Sequence, residues 1–283
     1  MTTLESIFQL NKIFKTKKWS ELDIDEFVFD NLCTLLDNIN EEQRPLIVEL
    51  LDRYMWVSFA DYPSKILNTL DSIPNEVLST LKSIYVFPII KKEDEGGFKS
   101  GQFLIYQIKS FKRQLKKYKN ITFKYVAKFE NFKNGFTLKE DEMIFLIDDY
   151  IGSGETLRFC LEEIQKNDSL SNEKLQIVTI ATQNEIAAAI KSEGYGYHAN
   201  IYAEKGITDF NSSPLLEEKI KIMLEIEKMI PGGSHFSLGY NSSEALITLA
   251  RTPDNTFPIF WMQYKKGGKK FDAPFSREET IEL

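Results

Sequence analysis

Apolar residues recur at three- and four-residue steps through FVFDNLCTLLDNI and EEQRPLIVELLDRYMWVSF, the spacing of helices with one buried face. Asn40 stands before Glu41 and Glu42 as an N-cap, where a side-chain acceptor and negative charge both favour a helix start. Pro63 and Pro74 interrupt the segment that holds SKILNTLDSIP, and no two-residue alternation precedes about residue 83. The pattern then changes. SIYVFPII (83–90), ITFKYVAKF (121–129), MIFLI (143–147), LQIVTIAT (175–182) and HANIYAE (198–204) read as strands. GQFLIYQIKSFKRQLKKY, ETLRFCLEEIQKN and NEIAAAIKSEG read as helices between them, the last ended by Gly194. Strands alternating with helices predict a parallel sheet covered on both faces, and continuous apolar runs fit strands buried on both sides. After residue 205 the alternation stops. LLEEKIKIMLEIEKMI (215–230) is helical and the remainder is mixed and turn-rich. The pattern divides the chain into a helical N-terminal region (1–82), an α/β core (83–204) and a C-terminal helix with an appended segment (205–283).

Composition narrows the class. At 283 residues and 42% hydrophobic, the chain has material for one large core or two smaller ones. A net charge of −7 gives no support for a general nucleic-acid or anionic-membrane surface, and leaves room only for a local basic patch. Cys33 and Cys160 lie far apart without metal-ligand spacing, which fits a reduced cytoplasmic protein. No apolar run approaches the ~20 residues that span a bilayer, and MTTLESIFQLNKIFK lacks the apolar core of a signal peptide. The expectation is a soluble cytoplasmic protein without a membrane partner.

The segment MIFLIDDYIGSGETLRFCLEEI (143–164) carries the chemistry. Ligands of open parallel sheets bind beyond the carboxyl ends of the strands, where Asp148 and Asp149 fall. The chain from Ile151 through Gly152, Ser153, Gly154 and Glu155 to Thr156 then enters a helix, whose first N–H groups and dipole favour an anion. Two glycines permit close approach, and two hydroxyls add donors. Acceptors for hydroxyls thus stand beside donors for a phosphate, a combination that a sugar phosphate presents. The bland alternative is a strand that ends at Asp149 and a helix that begins at Thr156. No GxxxxGK[ST] and no GxGxxG occurs.

FLIDDYIGSGET resembles the phosphoribosyl-pyrophosphate (PRPP) motif of type I phosphoribosyltransferases: four apolar residues, two acidic ones, and a short loop ending Gly-x-Thr. The resemblance implies a five-stranded parallel sheet with flanking helices, with the motif after the third strand. It implies that Asp148 and Asp149 hold the ribose hydroxyls and act in catalysis, and that residues 151–156 wrap the 5′-phosphate. It also implies a pyrophosphate loop at KKEDEGGFKSG, with Lys99, Ser100 and Gly101 at a helix start, and Mg²⁺ that travels with the pyrophosphate instead of sitting in a protein-only cage. A solvated charged loop is the competing reading of that run. Gly152 stands where hypoxanthine-guanine relatives carry a carboxylate, which disfavours 6-oxopurine salvage. The flexible catalytic loop would be KFENFKNGFTLKEDE, where Lys128 and Lys133 are the cations in reach of an anionic transition state or are simply solvated.

With a helical N-terminal region and the C-terminal run TPDNTFPIFW, the chain resembles more closely the phosphoribosyltransferase-like proteins of bacterial conflict and defence systems, PRTase-CE. The resemblance makes Arg251, Thr252 and Asn255 candidates for a hood over the ligand, against a plain turn at Pro253 and Asn255 with Trp261 filling core. His198 and His235 are isolated and read as structural. Two functions follow as expectations. One is a Mg²⁺-dependent transferase that binds PRPP or a related ribose phosphate, acting in antiviral defence with a partner protein or nucleic acid and as a homo-oligomer. The other is a non-catalytic nucleotide sensor on the same fold.

Overall fold

The apolar runs become strands because helices cover them from both sides. The computed structural model describes residues 1–19, 25–133, 135–230 and 233–277. In chain order, helices α1 (Thr3–Thr16), α2 (Asp25–Asn38) and α3 (Arg44–Arg53) precede strand β1 (Met55–Trp56) and helices α4 (Tyr62–Ser72) and α5 (Asn75–Leu78). Strand β2 (Ser83–Pro88), helix α6 (Ser100–Phe111), strands β3 (Thr122–Tyr125) and β4 (Glu142–Ile151), helix α7 (Glu155–Gln165), strand β5 (Leu175–Gln183), helix α8 (Asn184–Ser192) and strand β6 (Gly196–Ala203) follow. Helix α9 (Leu215–Glu227) and short strands β7 (Ile247–Thr248), β8 (Tyr264–Lys266) and β9 (Lys269–Phe271) complete the order. Among the described residues no helix is long and apolar enough to cross a membrane.

One compact unit is Phe59–Ala203; the other joins Met1–Ser58 to the chain from Glu204 onward. The sequence pattern places the second boundary within a residue of the structural one, after 204, but the first at 82 instead of 58. The difference arises because α4 packs along β5 and β6, and because the first helices share a core with the C-terminal segment.

In the first unit all five strands are parallel, in the order β3-β2-β4-β5-β6. The acidic pair lies on the third strand in sequence, as the resemblance implies. On one face Phe87, Ile144, Leu146, Leu175 and Ile177 meet Leu157, Cys160, Leu161 and Ile164 of α7 and Ala187 and Ile190 of α8. Helix α6 packs along β2 and β4, and α4 packs against α6. All nine residues of β5 are buried, which is why LQIVTIAT reads as a continuous run. Each such Leu or Ile contributes roughly 1.5–3 kcal/mol on burial. After β2 the chain adds β3 on one side and then returns to add β4 on the other. The strand order therefore reverses between β2 and β4, the point where ligands of open parallel sheets bind beyond the strands' carboxyl ends.

In the second unit Leu10, Leu32, Leu35, Ile47 and Leu50 of the first helices pack with Met223, Ile226, Phe257, Phe260 and Phe275. The Tyr54 and Phe275 rings stack at 4.5 Å. The helix start expected at Asn40 comes later: Asn40 accepts from the Glu42 and Gln43 N–H groups at 3.0 Å each in a turn, and α3 begins at Arg44 with Gln43 as its N-cap. The helix expected across YMWVSF ends at Arg53 instead. Met55 and Trp56 pair in parallel with Ile247 and Thr248, so tertiary packing of Tyr54 overrides a helical periodicity.

Candidate phosphate and ribose site

Strand β4 runs four residues past its apolar core. Asp148, Tyr150 and Ile151 stay in register with Thr179, Ala181 and Thr182, because β5 offers a partner of matching length. Both carboxylates thus sit on the last residues of a strand, and the turn begins at Gly152. Asp148 Oδ1 accepts from Ser100 Oγ at 2.6 Å and from the Asp149 N–H at 2.9 Å. Asp149 Oδ2 accepts from the Tyr62 hydroxyl at 2.8 Å. Burial, and then the Asp149 charge beside it, hold the Asp148 carboxyl well above the usual carboxylate range, against the opposite pull of the Ser100 hydroxyl. Asp148 therefore holds its proton more firmly than an isolated carboxyl does.

Ser100 reaches Asp148 because its neighbour has no side chain. A Cβ on Gly101 would lie 2.5 Å from the Ile147 carbonyl oxygen and 3.0 Å from Pro88 Cβ, so only glycine lets the start of α6 approach β2 and β4 this closely. Gln102 Oε1 accepts from the Lys99 N–H at 2.5 Å and fixes that first turn. Of the three candidate pyrophosphate residues, Ser100 joins the carboxylates and Gly101 makes room for it. Lys99 pairs with Asp94 at 2.8 Å. The other loop cations are also engaged: Lys91 with Glu155 at 2.7 Å and Lys92 with Glu163 at 3.8 Å.

The turn after β4 leads into α7 through Gly154, which has φ +76° and would place a Cβ 2.8 Å from Ile186 Cγ2. Gly152 and Gly154 are buried, whereas Ser153, Glu155 and Thr156 are half-buried. Ser153 Oγ accepts from the Glu155 N–H at 3.4 Å, and the Ile151 carbonyl accepts from Thr182 Oγ1 at 3.1 Å. The segment presents the first N–H groups of an eleven-residue helix beside two carboxylates. Among the described residues no three His, Cys, Asp or Glu side chains gather as a metal cage.

The chain matches the PRTase-CE family model over residues 29–277. It belongs to the PRTase-CE family. A search of curated proteins finds no match. Similar solved structures include a hypothetical protein from Neisseria gonorrhoeae with bound ppGpp, at 14% identity and a TM-score of 0.36, covering 60% of this chain and 96% of that one. Another is the Helicobacter pylori xanthine-guanine-hypoxanthine phosphoribosyltransferase, at 14% identity and a TM-score of 0.29, covering 53% and 84%. The core of this PRTase-CE chain is the type I phosphoribosyltransferase fold, a five-stranded parallel sheet with flanking helices.

The remaining expected elements are placed as follows. The loop expected to be flexible is pinned at its described residues. Phe129 and Phe132 pack on Phe87 at 4.8 and 5.2 Å, and Asn167 Nδ2 donates to the Phe132 and Phe136 carbonyls at 2.9 and 2.8 Å. Lys133 pairs with Glu130 at 2.5 Å. Asn134 falls outside the described residues. The proposed hood residues belong to the other unit, where two of the three side chains are committed internally. Thr252 Oγ1 donates to the Phe275 carbonyl at 2.8 Å, and Asn255 Nδ2 donates to Ser243 Oγ at 3.2 Å. Arg251 is exposed. Trp261 is buried and donates to the Thr256 carbonyl at 2.8 Å, while the Thr256 N–H closes a turn onto Pro253. His198 packs in β6 against Gln176 at 2.9 Å, and burial pushes its pKa down to about 4. Sequence reading missed Tyr62. The one available signal was its place before Pro63, a proline that starts α4 and does not break it.

Proposed function

We propose that this PRTase-CE protein binds PRPP or a related ribose phosphate and transfers the phosphoribosyl group. The observation that carries the reading is the acidic pair at the end of β4, beside the point where the strand order reverses and directly before the Gly154 turn into α7. Asp148 and Asp149 would accept from the ribose 2′- and 3′-hydroxyls, and the α7 N-terminus would take the 5′-phosphate. Ser100 and Tyr62 hold the two carboxyl groups in place before the ligand arrives. Adjacent carboxylates are hard oxygen donors of the kind that meet hydrated Mg²⁺ together with ligand oxygens. When bound, Mg²⁺ supplies charge that stabilises the departing pyrophosphate.

A second reading, a nucleotide sensor without turnover, is favoured by one specific observation. The pyrophosphate-loop cations Lys91 and Lys99 are neutralised by Glu155 and Asp94, which weakens their hold on a leaving group. Calorimetric titration with PRPP and Mg²⁺, on the parent and on the Asp148→Asn, Asp149→Asn variant, tests both readings. Binding that vanishes in the variant supports the ribose-phosphate site, and pyrophosphate release with an acceptor then separates transferase from sensor. A folded parent that fails to bind overturns the reading.

A further inference from the structure

Charge is distributed unevenly along this acidic chain. Residues 96–129 hold nine Lys or Arg and no Asp or Glu, although the whole chain carries −7. The excess concentrates in KSFKRQLKKYK, the last turn of α6 and the turns leading to β3, which is an edge strand of the sheet. Some cations outside this segment are paired, as in Arg158–Glu193 and Lys219–Glu49. Here Lys117 turns inward and donates to the Asp71 and Ile73 carbonyls. Lys109, Arg113, Lys116 and Lys119 are exposed, and among the described residues none forms an ion pair. Four like charges held together without counter-charges repel one another, an arrangement that suits an external polyanion.

Aromatic rings interleave with these cations. Tyr106 is 68% exposed, and it precedes Lys109 by three residues on α6, the spacing of one helix face, while Arg113 lies in the 3-10 turn that follows. Lys109 Nζ lies 5.5 Å from the ring of Tyr125, itself 39% exposed at the end of β3. A duplex presents only phosphates to such a strip, whereas a single strand also presents base faces that stack on exposed rings. A membrane would be met by a continuous apolar face, but Leu104 and Ile108 of α6 are buried in the core.

We propose that the exposed side of α6 and the turn after it form a binding surface for single-stranded nucleic acid. Lys109, Arg113, Lys116 and Lys119 hold phosphates, and Tyr106 stacks a base. The inference is independent of the ribose-phosphate reading.

Fluorescence anisotropy of a labelled 20-mer oligothymidylate, titrated with the full chain at 50 and 200 mM salt, tests it. Four phosphate contacts predict about a 50-fold loss of affinity across that range, from a slope of about −0.7 per contact. Substituting glutamine at all four cations should abolish binding while PRPP titration and the melting curve report on the remainder of the molecule. Tyr106→Ala should weaken binding at least about fivefold, the low end of what one stacked base contributes. Three results would overturn the proposal: no binding by the folded parent at 50 mM salt, undiminished binding by the four-glutamine variant, or a duplex or phosphatidylserine vesicle bound as tightly as the single strand.

Discussion

Replacing Gly101 by alanine sets two effects of opposite sign against each other. In a helix the change normally stabilises by roughly 0.5–1 kcal/mol, through lower backbone entropy in the unfolded chain. At this position the new Cβ would sit 2.5 Å from the Ile147 carbonyl oxygen and 3.0 Å from Pro88 Cβ. Neither neighbour is the tip of a flexible side chain, so the start of α6 must retreat by roughly 0.5–1 Å, an overpacking that costs about 1–3 kcal/mol. The retreat also stretches the 2.6 Å Ser100–Asp148 bond towards or past the limit of a hydrogen bond, a further loss of about 1 kcal/mol. The close approach wins, with net destabilisation of roughly 1–3 kcal/mol and a fall in Tm of about 3–10 °C. Calorimetric melting of Gly101→Ala beside Ser100→Ala, which removes the hydroxyl without crowding, measures the two contributions separately. If Gly101→Ala melts at or above the parent, helix propensity has won and the packing account of the site is wrong. If it melts no lower than Ser100→Ala, the clash is no larger than the roughly 0.5–1 kcal/mol gained from helix propensity.

Four further outcomes follow from the same geometry. Asp148 has a raised folded pKa, so the folded state binds its proton more tightly than the unfolded chain does, and this group's contribution to stability falls as pH rises above the unfolded value of about 3.9. Asp148→Asn should therefore gain on the parent in melting temperature as pH rises from about 3.9 towards the raised folded value, and a constant margin across that rise would contradict the shift. The same protonation predicts that PRPP binding releases a proton, seen as a dependence of the calorimetric heat on buffer ionisation. Asn255→Ala leaves buried Ser243 Oγ without one partner and should cost about 1–2 kcal/mol in thermal stability with unchanged PRPP affinity; lost affinity at unchanged Tm would restore Asn255 to a hood. Gly154→Ala places a side chain at φ +76° against Ile186 and should cost about 1–2 kcal/mol from backbone strain alone, measured by denaturant melting.

The central strands β4 and β5 were legible as continuous, mostly buried apolar runs, and β2, β3 and β6 as short β-branched or aromatic stretches with mixed burial. The acidic motif was legible because its spacing brings acceptors and anion donors together at one strand end. Tyr62 was not, since its hydroxyl meets Asp149 across 87 residues and nothing local marks such a contact. The anchoring of the loop by Phe129 and Phe132 was hidden for a related reason. Two aromatics in a polar stretch read as exposed until Phe87 is known to lie beneath them. Strand β1 was read as helix because its residues keep a three-to-four spacing, and only the distant partner β7 decides otherwise. Ser100 was found for its place at a helix start, but the reason it reaches a carboxylate is the absent side chain of Gly101.

The unit formed by Met1–Ser58 and the chain from Glu204 is interrupted by a contiguous unit of its own. During synthesis the first helices emerge long before Met223, Phe257, Phe260 and Phe275, the residues that complete their core. Their apolar faces must wait while Phe59–Ala203 emerges as a uninterrupted segment with every strand of its sheet in hand. Translation order thus favours the site-bearing sheet as the first part to fold. The parallel pairing of Met55 and Trp56 with Ile247 and Thr248 can form only afterwards, as the late long-range closure that sets the pace of maturation.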